Sequence, residues 1–554
     1  MMNKESKERA MRRMTAVMLC MTLIIAVLAG CRSSTVSSPQ MKKSGDEKKI
    51  TCAISAEPVT LDPAMSSYST SSSVIQNLFT GLYQIDENGE LIPGCAKEVK
   101  ISEDGLVYTF LLREGLKWSD GSDLTAGDFE YAWKRILDTE TASPIAWYLY
   151  YLKNGEAYHT GTAEAEDVGV KALDTRTLEV TLENPVVYFL TLTATTSFFP
   201  VKKEAVEGKA VWTKSARTYV SNGAFRMQEI NPQENYLLVK NPFYVFADTV
   251  QVNEISLVFI EFPEAALTAF NTGEVDILDG QCVGEQAIFQ YQDREELLYF
   301  DVIGTVYYDF NCSKEYLSDA RVRKALSMAI DRDLLIQNLV SSKPQPATGY
   351  VPYGIPYGVT GQDFRDVAGN LIAEDVKQAK ALLAEAGYSE GEGFPTLTII
   401  TQSSAEEQKN IVQALQSMWK ENLGIQVSIV TYEPKVYWLE HSAGNFDIAY
   451  DGWTGDYLDP STNLDCFLAS RVKDENRWNG ESAKQYDRLM QKSRTIEDTK
   501  ERMKLFLKAE RILLEEMPVM PLYFRNAALL VNKRCKNIIK NYAGHTMFRY
   551  AKVE

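Results

Sequence analysis

Between residues 397 and 429 the chain spells out strand, helix and strand in one pass. Residues 397–401 are a short apolar, β-branched run, and residues 405–423 follow with Ile411, Leu415 and Met418 on one helical face. Gly424 stops that helix, and Ile425, Val427 and Ile429 alternate as a second strand. Two strands separated by a helix of this length pair in parallel through a right-handed crossover. The fold class expected is therefore α/β, with mixed sheets flanked by helices. Other segments agree. Tyr108, Phe110 and Leu112, and later Leu178, Val180 and Leu182, alternate as half-buried strands. The turn Trp118-Ser119-Asp120-Gly121 leads to Thr125 and Asp128, spaced as N-cap and N3 of a helix whose inner face is Phe129, Ala132, Trp133 and Ile136. Further helices are read at 321–330 and at 373–386, the latter ended by Gly387, with the proline- and glycine-rich stretch 344–357 as an irregular loop between them.

At 554 residues the chain is about twice what one core usually organises, so two or three domains are expected. The N-terminus stands apart. Lys4, Lys7, Arg9, Arg12 and Arg13 precede an uncharged run from Met14 to Gly30, the two regions of an export signal. The run ends in Leu28-Ala29-Gly30-Cys31, which resembles a bacterial lipobox; the resemblance implies cleavage before Cys31 and lipidation of its thiol. An uncleaved membrane helix is the competing reading, because 17 residues only just span a bilayer. Residues 1–30 are read as the signal peptide. Residues 31–49, the lipidated cysteine and a polar segment with almost nothing to pack, are read as a flexible tether.

Charge and cysteine usage exclude several functions. Lys and Arg number 58 against 75 Asp and Glu, a net charge of −17, the wrong sign for a nucleic-acid binder. Three separated histidines and no CxxC argue against a zinc or haem site, so no metal and no cofactor is expected. Cys52, Cys95, Cys282, Cys312, Cys466 and Cys535 allow 15 pairings, among which spacing does not choose. Gly387-Tyr388-Ser389-Glu390-Gly391 matches a G-x-S-x-G elbow, but a helix precedes it where the elbow needs a strand, so it reads as a helix stop. No nucleophile and base are assembled, and an enzyme is not expected.

Six strings then recur in order: Leu61-Asp62-Pro63; Trp118-Ser119-Asp120-Gly121 with Thr125-Ala126 and Asp128-Phe129; Thr141-Ala142-Ser143-Pro144; Asp319 through Leu326; Ala329-Ile330-Asp331-Arg332; and Gly452-Trp453-Thr454-Gly455-Asp456-Tyr457. Together they resemble the family-5 extracellular solute-binding proteins, in particular the oligopeptide-binding proteins of ABC importers, from about Thr51 to the C-terminus. The resemblance implies a periplasmic-binding-protein-like fold (class II, cluster C) with two closing lobes and an extra domain. Domain I would comprise 50–79, 203–303 and 523–554, domain II 80–202 and domain III 304–522, with hinge crossings near 203 and 304. A peptide would lie between domains I and III, gripped by what all peptides share, the backbone and the charged ends.

The resemblance assigns Asp456 to the ligand's α-ammonium group, as a charge-assisted hydrogen bond. Residues 446–450 read as a strand, with Gly452 and Gly455 flanking a loop that approaches a ligand backbone. Gly452, Trp453, Thr454 and Tyr457 would complete that wall, and Ser66, Ser67 and Tyr68 would face it from domain I. The sequence departs from the family pattern at Tyr450, where relatives often carry arginine, and at Ile145, where they often carry tyrosine, a place Trp147 or Tyr148 could take. Thr454 replaces a cysteine of some relatives. His441 falls near the peptide's far end by this alignment. The function implied is a lipid-anchored, monomeric peptide receptor on the extracytoplasmic face of the cell membrane. It would deliver oligopeptides to a membrane permease driven by partner ATPases. A pheromone-signalling receptor and a binder of nickel chelate, haem or a sugar in the same fold are the alternatives.

Overall fold

A computed structural model describes residues 48–554 apart from 210, 359, 404–405, 470–475 and 497. The signal peptide, Cys31 and nearly all of the tether lie outside the described residues. The first strand begins at Lys49, inside the segment assigned to the tether. Among the described residues, no helix is long and apolar enough to cross a membrane.

In chain order the strands that matter are β1 (Lys49–Ile54), β2 (Ala96–Ile101), β3 (Val107–Leu112), β4 (Val170–Ala172), β5 (Thr177–Thr181), β6 (Phe225–Asn231), β7 (Asn235–Lys240), β8 (Glu254–Phe259), β9 (Ile277–Asp279), β10 (Leu297–Phe310), β11 (Leu397–Gln402), β12 (Val427–Tyr432), β13 (Ile448–Thr454) and β14 (Val519–Val531). Ten of them form one mixed sheet in the order β12-β11-β13-β10-β14-β9-β1-β8-β7-β6, and β2-β3-β5-β4 form a separate antiparallel sheet. The helices used below are α1 (Ser69–Leu78), α2 (Ala126–Leu137), α3 (Ala320–Met328), α4 (Val376–Glu385), α5 (Glu406–Leu423), α6 (Pro434–Ala443) and α7 (Thr499–Glu516).

Local chemistry explains these elements. In α2 the Thr125 backbone N–H donates to Asp128 Oδ2 at 2.8 Å, closing the capping box, and Phe129, Trp133 and Ile136 are buried. In β3 the inward residues Tyr108, Phe110 and Leu112 alternate with partly exposed ones. Strands β11 and β12 pair in parallel with Leu397 opposite Val427, and α5 crosses over between them, burying Ile411, Leu415 and Trp419. Helix α4 ends at Ala386 with Gly387 at φ +98°, so the serine of the G-x-S-x-G string follows a helix rather than a strand.

Two large apolar cores result. One draws on segments from Ile50 to Ile277 together with Leu529, Val531 and the C-terminal residues, and the other on segments from Ile303 to Phe524. Strands β10 and β14 serve both. Leu297 to Asp301 pair with Leu530 to Asn526, and Thr305 to Asp309 pair with Phe524 to Val519; between these runs Val302, Ile303 and Gly304 leave the ladder. The backbone bonds freed there go elsewhere: the Ile303 N–H donates to the Tyr542 carbonyl at 2.9 Å, and the Ile303 carbonyl accepts from Gly455 at 2.7 Å. A crossing strand near 203 was expected beside the one near 304. Lys203–Val206 is instead a short helix, and the second crossing strand is β14 at Phe524 to Asn526.

The 344–357 loop is held from beneath by a buried ion pair. Glu510 of α7 accepts from the backbone N–H groups of Tyr350 and Val351, both at 2.8 Å, and from the Arg365 guanidinium, with both side chains fully buried. Gly349 makes room, since a Cβ there would stand 1.6 Å from Arg365 Nη1. Removing one partner leaves the other charge buried and unpaired. Glu510→Ala should therefore cost about 3–5 kcal/mol of unfolding free energy, read by urea denaturation.

Candidate functional site

The Gly-Trp string lies in a strand, not a loop. Strand β13 continues through Thr454, with Gly452 opposite Val306, Trp453 opposite Thr305 and Thr454 opposite Gly304. The strand expected over 446–450 instead runs from Ile448 to Thr454, through the Gly452 that was expected to open a loop. The glycines also make room for the protein's own side chains, and Gly455 lines the cavity described below. A Cβ at Gly452 would stand 2.1 Å from Arg525 Nη2, and one at Gly455 would stand 2.6 Å from the Thr462 methyl and 2.8 Å from Ile303.

After Thr454 the chain turns, and Asp456 sits where the turn is fixed at two points. Its N–H donates to Thr462 Oγ1 at 2.8 Å, and its carbonyl accepts from the Tyr542 hydroxyl at 3.2 Å. Asp456 lines a cavity of about 450 Å³, a size that suits a small ligand. The structure brings Ser66, Ser67, Tyr68, Trp147, Trp453 and Thr454 to this same cavity. Ser66 is buried with its hydroxyl 2.9 Å from that of Ser72, while Tyr68, at the N-terminus of α1, is exposed. The Trp147 ring stacks on Tyr148 with centroids 3.6 Å apart, and Ile145 lines the wall as well.

Three predicted residues lie apart from the cavity wall. Gly452 gives its space to Arg525. Tyr457 is buried and turned toward Tyr188 and Tyr151: its ring stacks on Tyr188 at 4.7 Å, and its hydroxyl lies 3.3 Å from that of Tyr151. Beneath this stack the Arg502 guanidinium lies 5.0 Å from the Tyr188 ring and makes a two-pronged ion pair with Asp459. His441, on α6, is buried. It stacks on Phe446 at 5.2 Å, and its Nε2 lies 3.3 Å from Asp309 and 3.9 Å from Asp451.

The Asp309, His441 and Asp451 groups offer three possible metal-ligand atoms within 4.8 Å of one another. Protein groups also meet their needs: Asn476 donates to Asp309 and the Gly452 N–H to Asp451. Burial, and then the charge of Asp309, push the Asp451 carboxyl up to about 6. Cys52, Cys95, Cys282, Cys312 and Cys535 are free, buried thiols; burial pushes Cys95 and Cys535 up to about 12, which leaves them unreactive.

Sequence reading missed Arg525, Asn541, Tyr542 and His545, which complete the cavity. For Arg525 there was a signal, a cation inside the apolar run of β14. The C-terminal turn at 541–545 offered none, because its position depends on the break in β10. Burial, and then the neighbouring Lys540, push the His545 imidazole down to about 4 from its usual 6.5, opposed by Asp279. The folded form therefore resists a proton that the unfolded chain accepts, and stability falls on acidification from pH 6.5 toward 4. Wild type should lose up to about 3 kcal/mol more than His545→Gln over that window, measured by denaturant melts at each pH. Asp451, raised in the folded form, acts with the opposite sign in both proteins and cancels in the comparison.

Residues 90–475 match the family described as "Bacterial extracellular solute-binding proteins, family 5 Middle". The oligopeptide-binding protein OppA of Bacillus subtilis is 33% identical over 555 residues, covering 98% of this chain and 99% of its own. The dipeptide-binding protein DppE of the same organism is 31% identical over 529 residues, with 95% and 96% covered. Among solved structures, the murein tripeptide-binding protein MppA of Escherichia coli superposes with a TM-score of 0.76 at 32% identity, over 92% of this chain and 99% of its own. The peptide-bound OppA of Listeria monocytogenes gives 0.75 at 27% identity, over 92% and 99%.

Proposed function

The chain belongs to the bacterial extracellular solute-binding proteins of family 5, which are binding proteins rather than enzymes. We propose that it is a lipid-anchored, monomeric receptor that captures oligopeptides on the extracytoplasmic face of the cell membrane. It hands them to the permease of an ABC importer, whose ATPases supply the energy, and it needs no cofactor of its own. One observation carries this reading: an acidic side chain, Asp456, lines a cavity walled by segments from both cores. A carboxylate there suits the one cation that unmodified peptides share, the α-ammonium group. The names of the relatives support peptides over chelates, haem or sugars.

The division into domains I, II and III belongs to the same proposal. Domains I and III would move as two lobes about β10 and β14, closing on the ligand and shifting the population toward the closed form.

Asp456→Asn keeps the shape of the side chain and removes its charge. Breaking one side of a desolvated charged pair costs roughly 2–5 kcal/mol, about 30-fold to several thousand-fold in affinity. N-acetylation of the peptide should harm wild type to a similar degree and the variant much less, because the two changes remove one interaction. Calorimetry on the four combinations reads this coupling; strictly additive losses would overturn the role of Asp456.

The anchor rests on Leu28-Ala29-Gly30-Cys31 at the end of the apolar run. A diacylglyceryl group supplies two acyl chains, enough for stable anchoring where one is marginal. Cys31→Ser should leave the precursor unlipidated, read by mass spectrometry of the membrane and soluble fractions. Mass spectrometry of wild type showing an unmodified Cys31 would sink the idea.

A further inference from the structure

Five arginines stand at or near the interior of the second core. Four of them are held at short range by carbonyls or carboxylates, although the Nε of Arg365, like that of Arg525, is buried without a partner. Arg323 donates to backbone carbonyls, and Arg332 to the Pro521 and Ser327 carbonyls, the Ser327 hydroxyl and Glu374. Arg365 and Arg502 each hold a carboxylate, Glu510 and Asp459. Arg525 of β14 differs. Its Nη1 makes one long contact, 3.4 Å to Thr454 Oγ1, and its Nε is buried with no partner. Among the described residues Arg525 makes no ion pair within 4 Å; Asp451 acts on it electrostatically from farther away. A guanidinium carries five N–H donors in a planar fork, so most of its donors find no group of the protein.

The surroundings are shaped for that fork. Arg525 stands opposite the three residues of β10 that leave the ladder, and it lies over two glycines. A Cβ at Gly304 would stand 3.0 Å from its Cδ, and one at Gly452 would collide with Nη2. Three cavities, of about 450, 420 and 220 Å³, meet at this side chain. Asp456 lines the largest of them, two residues beyond the threonine that Arg525 touches, at most about 7 Å along the backbone.

The geometry points to Arg525 as a binding site for a carboxylate of the ligand, set a short distance from the ammonium site. This inference rests on the peptide reading above and adds a selectivity to it: acidic ligands are favoured over neutral ones. An extended peptide advances 3.3–3.6 Å per residue, so the carboxylate would be either the C-terminus of a di- or tripeptide or an acidic side chain near the N-terminus. Both offer two oxygens to the guanidinium fork.

The test uses the mature chain, purified free of carried ligand, with four probes: Ala-Ala-Ala, its C-terminal amide, Glu-Ala-Ala amide and Gln-Ala-Ala amide. Wild type should bind at least one carboxylate-bearing probe roughly 30-fold more tightly than its neutral counterpart. Loss on amidating Ala-Ala-Ala identifies the C-terminus as the group held, and a preference for Glu over Gln identifies the side chain. In Arg525→Gln the preference should collapse to a few-fold while the neutral amides keep their affinity. Arg525→Lys should keep part of the preference, and Gly452→Ala, which displaces the guanidinium, should reproduce its loss. A purely structural Arg525 would change all probes together and leave the ratio alone. Equal wild-type affinity for acid and amide in both pairs, or an undiminished preference in Arg525→Gln, overturns the inference and leaves the peptide reading standing. Failure of every probe to bind wild type overturns both.

Discussion

Strands β10 and β14 pair from Leu297 and Leu530 at one end to Asp309 and Val519 at the other, and the two large cores are attached to opposite halves of that ribbon. A two-stranded ribbon twists and bends most easily where its own ladder is broken. The break falls at Val302 to Gly304, level with the boundary between the cores. The hydrogen bonds released there are reused at once, on Tyr542 and on Gly455. The weakest point of the ribbon is thus also the point where the Asp456 turn and the C-terminal turn are tied in. Neither segment could be moved without changing the other.

Around this ribbon the protein spends buried charge sparingly and satisfies it locally. Glu510 ties a loop to a helix, Asp459 ties Arg502 beneath an aromatic stack, and Asp309, Asp451 and His441 share a closed cluster behind β13. Burying an unpaired charge costs several kcal/mol, so such groups fix one arrangement of the backbone over its competitors. Arg525 is the place where this economy is relaxed.

The regular elements were legible because their signals are local. The βαβ unit at 397–429 and the capping box at Thr125 follow from periodicity and one hydrogen-bonded cap, both of which depend on neighbours a few residues away. The division of labour at the site was less legible for the opposite reason. Gly452 was read as flanking a loop that approaches a ligand backbone, but the atom standing where its Cβ would be belongs to a residue 73 positions later. Tyr457 and His441 were placed by their spacing to Asp456 and by alignment, and only the packing of Tyr188 and of Phe446 reveals that their rings face the protein. His545 and Tyr542 carry no pattern of their own; the break in a strand some 240 residues earlier positions them.

The adjacency of Asp456 and Tyr457 has a consequence for how such a receptor evolves. One residue faces the cavity and the next closes a stack on Tyr188 in a different part of the chain. Apparent affinity is the product of an intrinsic term and the fraction of molecules in the competent conformation. On the two-lobe proposal, changes around Tyr151, Tyr188 and Arg502 would act on that fraction and so on every solute alike. Changes in the cavity alter which solutes are preferred. On that proposal, overall sensitivity and discrimination would be separate traits, and the working concentration would change without changing which solutes are preferred.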